Sequence, residues 1–142
     1  MRIHQNVFVR SVVLATLALA LSPALITRQA SASTIEECQA LIDALVANTQ
    51  AVVITGKNAE KNRAGLLGKL ASASIDLDQG KLCGAIGKLT DFRDKVNQLI
   101  ASGSINADPT VGVTGQDLVD GATEAIACVQ AAVDESGIIC PE

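Results

Sequence analysis

A chain of 142 residues that is 49% hydrophobic yet 1% aromatic, with no Trp and no Tyr, must build its core from Ala, Leu, Ile and Val. Its length suits one domain. A net charge of −4 and the lack of stacking side chains weigh against nucleic-acid binding, and the lone histidine, His4, sits at the extreme start of the chain.

Arg2 and Arg10 precede an apolar run from Ser11 to Leu21, and Ala30-Ser31-Ala32 follows it. A charged lead, an apolar middle and small residues before a cut form the pattern of an export signal, with cleavage expected after Ala32. A membrane anchor needs roughly 20 uninterrupted apolar residues, whereas Pro23 and Arg28 interrupt this run. No later stretch is apolar enough to span a bilayer. The expected organisation is therefore a signal peptide over 1–32 and one exported domain over 33–142, secreted or periplasmic. Cleavage removes His4 and Phe8, leaving Phe92 as the sole aromatic residue.

Four helices follow in chain order. Ser33 and Thr34 ahead of Glu36 and Glu37 resemble a capping box, and Ile35, Cys38, Leu41, Ile42, Leu45, Val46, Thr49, Val52 and Val53 step by three and four until Gly56. The second helix runs from about Ala59 to Leu77 on Leu66, Leu67, Leu70, Ala73 or Ser74, and Leu77, closed by Gly80. A third carries Leu82, Ile86, Leu89, Phe92, Val96, Leu99 and Ile100, and stops at Gly103, a residue that accepts the left-handed conformation of helix ends. Ser104 to Thr114 is the longest linker. Thr114 with Asp117 caps the fourth helix, which carries Leu118, Ala122, Ala125, Ile126, Val129 and Val133 and ends at Gly137. Nothing alternates with period two, so no sheet is expected. Short connections predict an all-α, up-down-up-down four-helix bundle.

That arrangement brings Cys38, Cys83, Cys128 and Cys140 to one pole. Disulfides are expected to supplement a thin core, each contributing about 2 to 4 kcal/mol. Four cysteines allow three pairings. Cys38 with Cys128 and Cys83 with Cys140 is preferred, since the first two lie deeper in adjacent helices and the tail can reach a helix start at Cys83; the sequence leaves the other two pairings open.

The series Leu66-Leu67-x-Lys69-Leu70-x-x-Ala73, Leu77-x-x-Gly80, Ala85-Ile86-x-x-Leu89-x-x-Phe92-x-x-x-Val96 and Gly103-x-Ile105, with Leu118 and Ala122 on the last helix, resembles the FIMAH-type helical accessory modules of secreted bacterial proteins. The resemblance covers about two thirds of the chain after residue 32, and implies a bacterial exported module with an adhesive or accessory role and no enzymatic activity. This chain departs from the usual context in not following a catalytic domain.

Candidate chemistry is sparse. Asp76-Leu-Asp78-Gln-Gly80 imitates the opening of a calcium loop, but Gly87 stands where a bidentate Glu is needed, so a helix end is the better reading. Cysteine catalysis lacks a histidine base, and a four-thiolate zinc site lacks close C-x-x-C pairs. Asp91 and Asp94 sit among Lys88, Arg93 and Lys95 at spacings that make surface ion pairs. Asp134 and Glu135, at a helix end that favours cations, point to solubility or a partner surface. No catalytic residue, metal site or cofactor is expected.

Charge layout is the informative pattern. After residue 32 every basic residue lies between Lys57 and Lys95, whereas residues 96–142 hold seven acids and no base. Lys81, Lys88 and Lys95 recur every seven residues as one stripe. A non-enzymatic binding or structural module follows, with Lys81, Lys88 and Lys95 as candidate contact residues for an exported protein or an anionic envelope polymer. The alternative is a carrier of a small apolar ligand or an inhibitor of another exported enzyme, with Gly65, Gly68, Gly84 and Gly87 either letting helices pack closely or leaving room for a guest.

Overall fold

In the computed structural model the backbone is described for residues 23–141 and the side chains for 34–141; the apolar leader over 1–22, with His4 and Phe8, lies outside, and the cut expected after Ala32 falls where no side chain is described. Four helices, α1 (Pro23–Ala51), α2 (Ala59–Asp78), α3 (Leu82–Ala101) and α4 (Gly115–Ser136), form a ring in which α1 packs on α2, α2 on α3, α3 on α4, and α4 closes back on α1.

Each helix buries most of the stripe its periodicity marked, although Ile35, Leu41, Val46, Leu67, Ile86, Ile100 and Ile126 are half-buried and Val53 is exposed. Leu66, Leu70, Ala73 and Leu77 of α2, Leu82, Ala85, Leu89, Phe92, Val96 and Leu99 of α3, and Leu118, Ala122, Ala125, Val129 and Val133 of α4 meet Cys38, Ile42 and Leu45 of α1 in one core. Small residues at Ala73, Ala85, Ala122 and Ala125 let the backbones approach, and each fully buried Leu or Phe contributes about 1.5 to 3 kcal/mol relative to exposure. Phe92 is the largest fully buried side chain.

Helix ends follow local chemistry. Gly80, Gly103 and Gly137 hold φ of 70°, 64° and 69°, a region that disfavours any residue with a Cβ. Thr114 and Asp117 form the capping box: the Thr114 hydroxyl accepts from the Asp117 N–H at 3.2 Å, and the Asp117 carboxylate accepts from the Thr114 N–H at 2.8 Å. Hydrogen bonds from the Thr114 backbone and then its hydroxyl hold Asp117 below the ordinary carboxylate range. The cap is therefore fully present at neutral pH and fades as pH falls through that lowered value.

Two features depart from expectation. Helix α1 is already helical at Pro23, the first described residue, so Ser33 and Thr34 lie inside a continuous helix and not at its start. The same helix ends at Ala51, short of Gly56, and an isolated antiparallel bridge joins Ile54 to Ile105. Thr55 N–H donates to the Ser104 carbonyl at 2.8 Å and Asn106 N–H to that of Val53 at 2.9 Å. The β-branched run Val52-Val53-Ile54-Thr55 suits extended backbone, and burying both isoleucines closes that end of the bundle.

At the opposite pole two disulfides close the structure. Cys38 of α1 bonds Cys128 of α4, and Cys83, one residue inside α3, bonds Cys140 on the tail after α4. The preferred pairing is the one formed.

Candidate functional site

The basic residues divide by the work they do. Arg63 of α2 reaches back to the end of α1, where its guanidinium donates to the carbonyls of Thr49 at 2.6 Å, Gln50 at 2.9 Å and Val52 at 3.0 Å. Those carbonyls lack partners within their own helix, and a cation is favoured there, so Arg63 serves as the C-terminal cap that α1 does not encode for itself. Arg63→Met, which keeps most of the stem and loses the fork, is expected to lower unfolding free energy by about 2 kcal/mol in chemical denaturation. A loss below about 0.5 kcal/mol would contradict the capping role.

Lys69 of α2 joins Asp91 of α3 at 3.3 Å, and Arg93 lies 4.0 Å from Asp94. Asp91 and Asp94 are thus engaged by cations on the solvent side of the α2–α3 pair. Each such exposed pair is worth about 0 to 1 kcal/mol.

Lys81, Lys88 and Lys95 are different. Lys81 immediately precedes α3, and the three fall two turns apart along one flank of that helix. Lys81 and Lys88 are exposed and Lys95 is half-buried, and among the described residues none of the three has a carboxylate within 4 Å. Their flank is the one that turns toward α2. Asp91 and Gly84 occupy the neighbouring heptad position, and they meet α2 through Lys69 and Asp76 respectively. The stripe therefore borders the α2–α3 seam, exposed at Lys81 and Lys88 and half-buried at Lys95.

The other half of the bundle carries the opposite sign. Between α1 and α4 runs a groove of about 250 Å³ lined by Leu41, Leu45, Asn48, Asp117, Asp120 and Glu124, with Gly121 in contact range of Leu45. No base lies on α4 or on the described side chains of α1. Opposite faces of one small bundle thus hold opposite charge.

The glycines considered for guest binding do not line an interior space. Gly65, Gly68, Gly84 and Gly87 are all exposed, and only Gly84 lies against a neighbour, the Asp76 carboxylate. A shallow apolar notch of about 260 Å³ exists instead at the disulfide pole, between Ile35, Leu82, Ala132 and Ile138, with Glu135 on its rim. No local pattern marks it, because its walls come from three helices and the tail.

The calcium-loop imitation resolves as a helix end. Asp78 is the last residue of α2, Gly80 N–H donates to the Leu77 carbonyl at 2.9 Å, and Lys81 N–H donates to that of Asp76 at 2.7 Å. Asp134 accepts from Gln130 at 3.0 Å on exposed helix surface. Among the described residues no cluster of three His, Cys, Asp or Glu side chains is placed to hold a metal ion, and no helix is long and apolar enough to cross a membrane. Comparison of the chain with protein-family models, with curated proteins and with solved structures finds no match.

Proposed function

We propose that the protein is an exported, non-enzymatic helical module that attaches to an acidic exported protein or an anionic envelope polymer through Lys81, Lys88 and Lys95. The observation that carries this reading is the division among its cations: Arg63 and Lys69 are engaged in holding the helices, while of the cations without a carboxylate within 4 Å among the described residues, Lys81, Lys88 and Lys95 are the ones aligned along one helix flank. Lysine ammonium groups two turns apart span about 20 Å, a length suited to a repeating anionic chain. Export is supported by the leader-like segment before Ala32 and by the two disulfides, which persist in oxidising compartments. The FIMAH-type pattern agrees with an accessory role.

Charge reversal tests the reading. Lys81→Glu, Lys88→Glu and Lys95→Glu together are expected to weaken attachment to cell-envelope material from the native host at least tenfold, with Tm shifted by no more than about 2 °C because none of the three supports the fold. Unchanged attachment would remove the stripe as the contact surface.

The notch at the disulfide pole favours a second reading, a carrier of a small apolar ligand. Native mass spectrometry of protein purified from its host separates the two, since a carrier retains a small-molecule mass and a stripe-binding module does not.

A further inference from the structure

We infer that the Cys83–Cys140 bond is a redox-cleavable clasp: a dithiol reductant opens it selectively by attack on Cys140, which frees the tail and uncovers the apolar notch that the tail walls. This goes beyond the reading of the lysine stripe and stands without it.

The two disulfides are held differently. Cys38 is fully buried and Cys128 half-buried, and their bond joins two packed helices with both cysteines inside regular α-helix, so helix packing as well as the sulfur bond holds them. Were that bond cut, both thiols would remain facing each other. Cys83 and Cys140 are each half-buried, and only Cys83 belongs to a helix. Beyond Ser136 the described chain makes backbone hydrogen bonds through Gly137, to Asp134, and through Ile138, to Val133. Ile139 is 92% exposed and Pro141 is exposed, so the sulfur bond is the tail's anchor past Ile138.

Position also decides which sulfur is attacked. Cys83 stands in the first turn of α3, where unsatisfied backbone N–H groups favour negative charge, and Lys81 lies beside it in sequence. The better leaving thiolate is therefore Cys83, so attack on Cys140 is the favoured direction. In the first step the reductant's thiolate forms a bond to Cys140 Sγ, the Cys83–Cys140 bond breaks, and its electron pair departs on Cys83 Sγ, which then takes a proton. In the second, the reductant's other thiol attacks the mixed disulfide. Cys140 leaves as a thiol and the reductant ends as its own disulfide, so two electrons have passed to the protein.

What opens is specific. Ile138 forms one wall of the notch whose other walls are Ile35, Leu82 and Ala132, and Leu82 is the immediate neighbour of Cys83. Withdrawing the tail also breaks the 3.3 Å bond from Ile138 N–H to the Val133 carbonyl, and it then exposes apolar surface at the meeting of α1, α3 and α4 while the Cys38–Cys128 bond keeps the bundle closed.

The test uses the folded, oxidised protein. Graded dithiothreitol under native conditions, followed by alkylation and peptide mapping, is expected to label Cys83 and Cys140 at least tenfold faster than Cys38 and Cys128. Trapping with glutathione, a monothiol, should place the adduct on Cys140. Selectively reduced protein, and Cys140→Ser as its permanent mimic, should bind anilinonaphthalene sulfonate more strongly and exchange amide hydrogens faster over residues 138–140, with helical circular dichroism unchanged. Equal labelling rates, an adduct on Cys83, or dye binding and exchange that do not change in the reduced wild-type protein would each overturn the clasp, and this last readout does not depend on the variant folding.

Discussion

Replacing Cys38 and Cys128 together by alanine is expected to lower unfolding free energy by about 4 kcal/mol, the larger part of the stability of a marginal domain. The bond ties residues 90 positions apart, so it strongly restricts the unfolded chain. It also costs little native freedom, because α1 and α4 already pack against each other at that level and Cys38 is fully buried. Loss of Cys83–Cys140 restricts a loop of 57 positions less, but it returns freedom to the tail of the folded protein, so the same double replacement there is expected to cost roughly half as much. Chemical denaturation under oxidising conditions makes the comparison. Equal costs, or a reversed order, would mean that the tail is packed more tightly than its exposure indicates.

Phe92→Ala is expected to cost about 3 to 5 kcal/mol. Phe92 is 0% exposed and is the bulkiest buried side chain in a core otherwise made of aliphatic residues. Nearby layers depend on small residues such as Ala85, Ala122 and Ala125, which cannot extend into the space that a lost ring leaves. Phe92→Leu recovers most of the volume and is expected to cost less than about 1.5 kcal/mol. Denaturant titration of both variants decides this, with an unchanged m-value indicating that only the native packing was altered. A Phe92→Ala loss below 1 kcal/mol would show that the bundle collapses around the gap.

These two positions also show why the fold was legible. Phe92, Leu89 and Val96 step at helical spacing, and Gly80, Gly103 and Gly137 stop the helices where a left-handed residue is needed, so local chemistry and tertiary packing agree. The preference for the pairing that forms rested on helix order, since Cys38 and Cys128 are set within helices that an up-down topology makes neighbours, while the sequence left the other two pairings open.

The misses have a common cause. Val52 and Val53 fit the three-and-four spacing of α1, but Val52 already lies past its end, because β-branched residues there gain more from the Ile54–Ile105 bridge and from the Arg63 cap. Neither partner is local: Ser104 and Asn106 lie after α3, and Arg63 is a turn into the next helix. Likewise the lysine stripe was visible as a seven-residue recurrence, but its freedom from ion pairs depends on where Asp76, Asp91 and Asp94 fall in space. The apolar notch, built by Ile35, Leu82, Ala132 and Ile138, had no sequence signature at all.

Attachment through the lysine stripe tests most directly as a salt titration. Binding of the wild-type protein to its native envelope material, measured from about 0.05 to 0.5 M salt, is expected to fall steeply, as it must when solvent-exposed charges are screened. The Lys81→Gln, Lys88→Gln, Lys95→Gln protein should start weaker and show a clearly shallower dependence, whereas Lys57→Gln with Lys61→Gln, which removes two exposed cations that are not part of the stripe, should leave the wild-type slope nearly intact. Identical slopes for wild type and the stripe variant, or an equal effect from Lys57 and Lys61, would contradict the assignment of α3 as the contact surface.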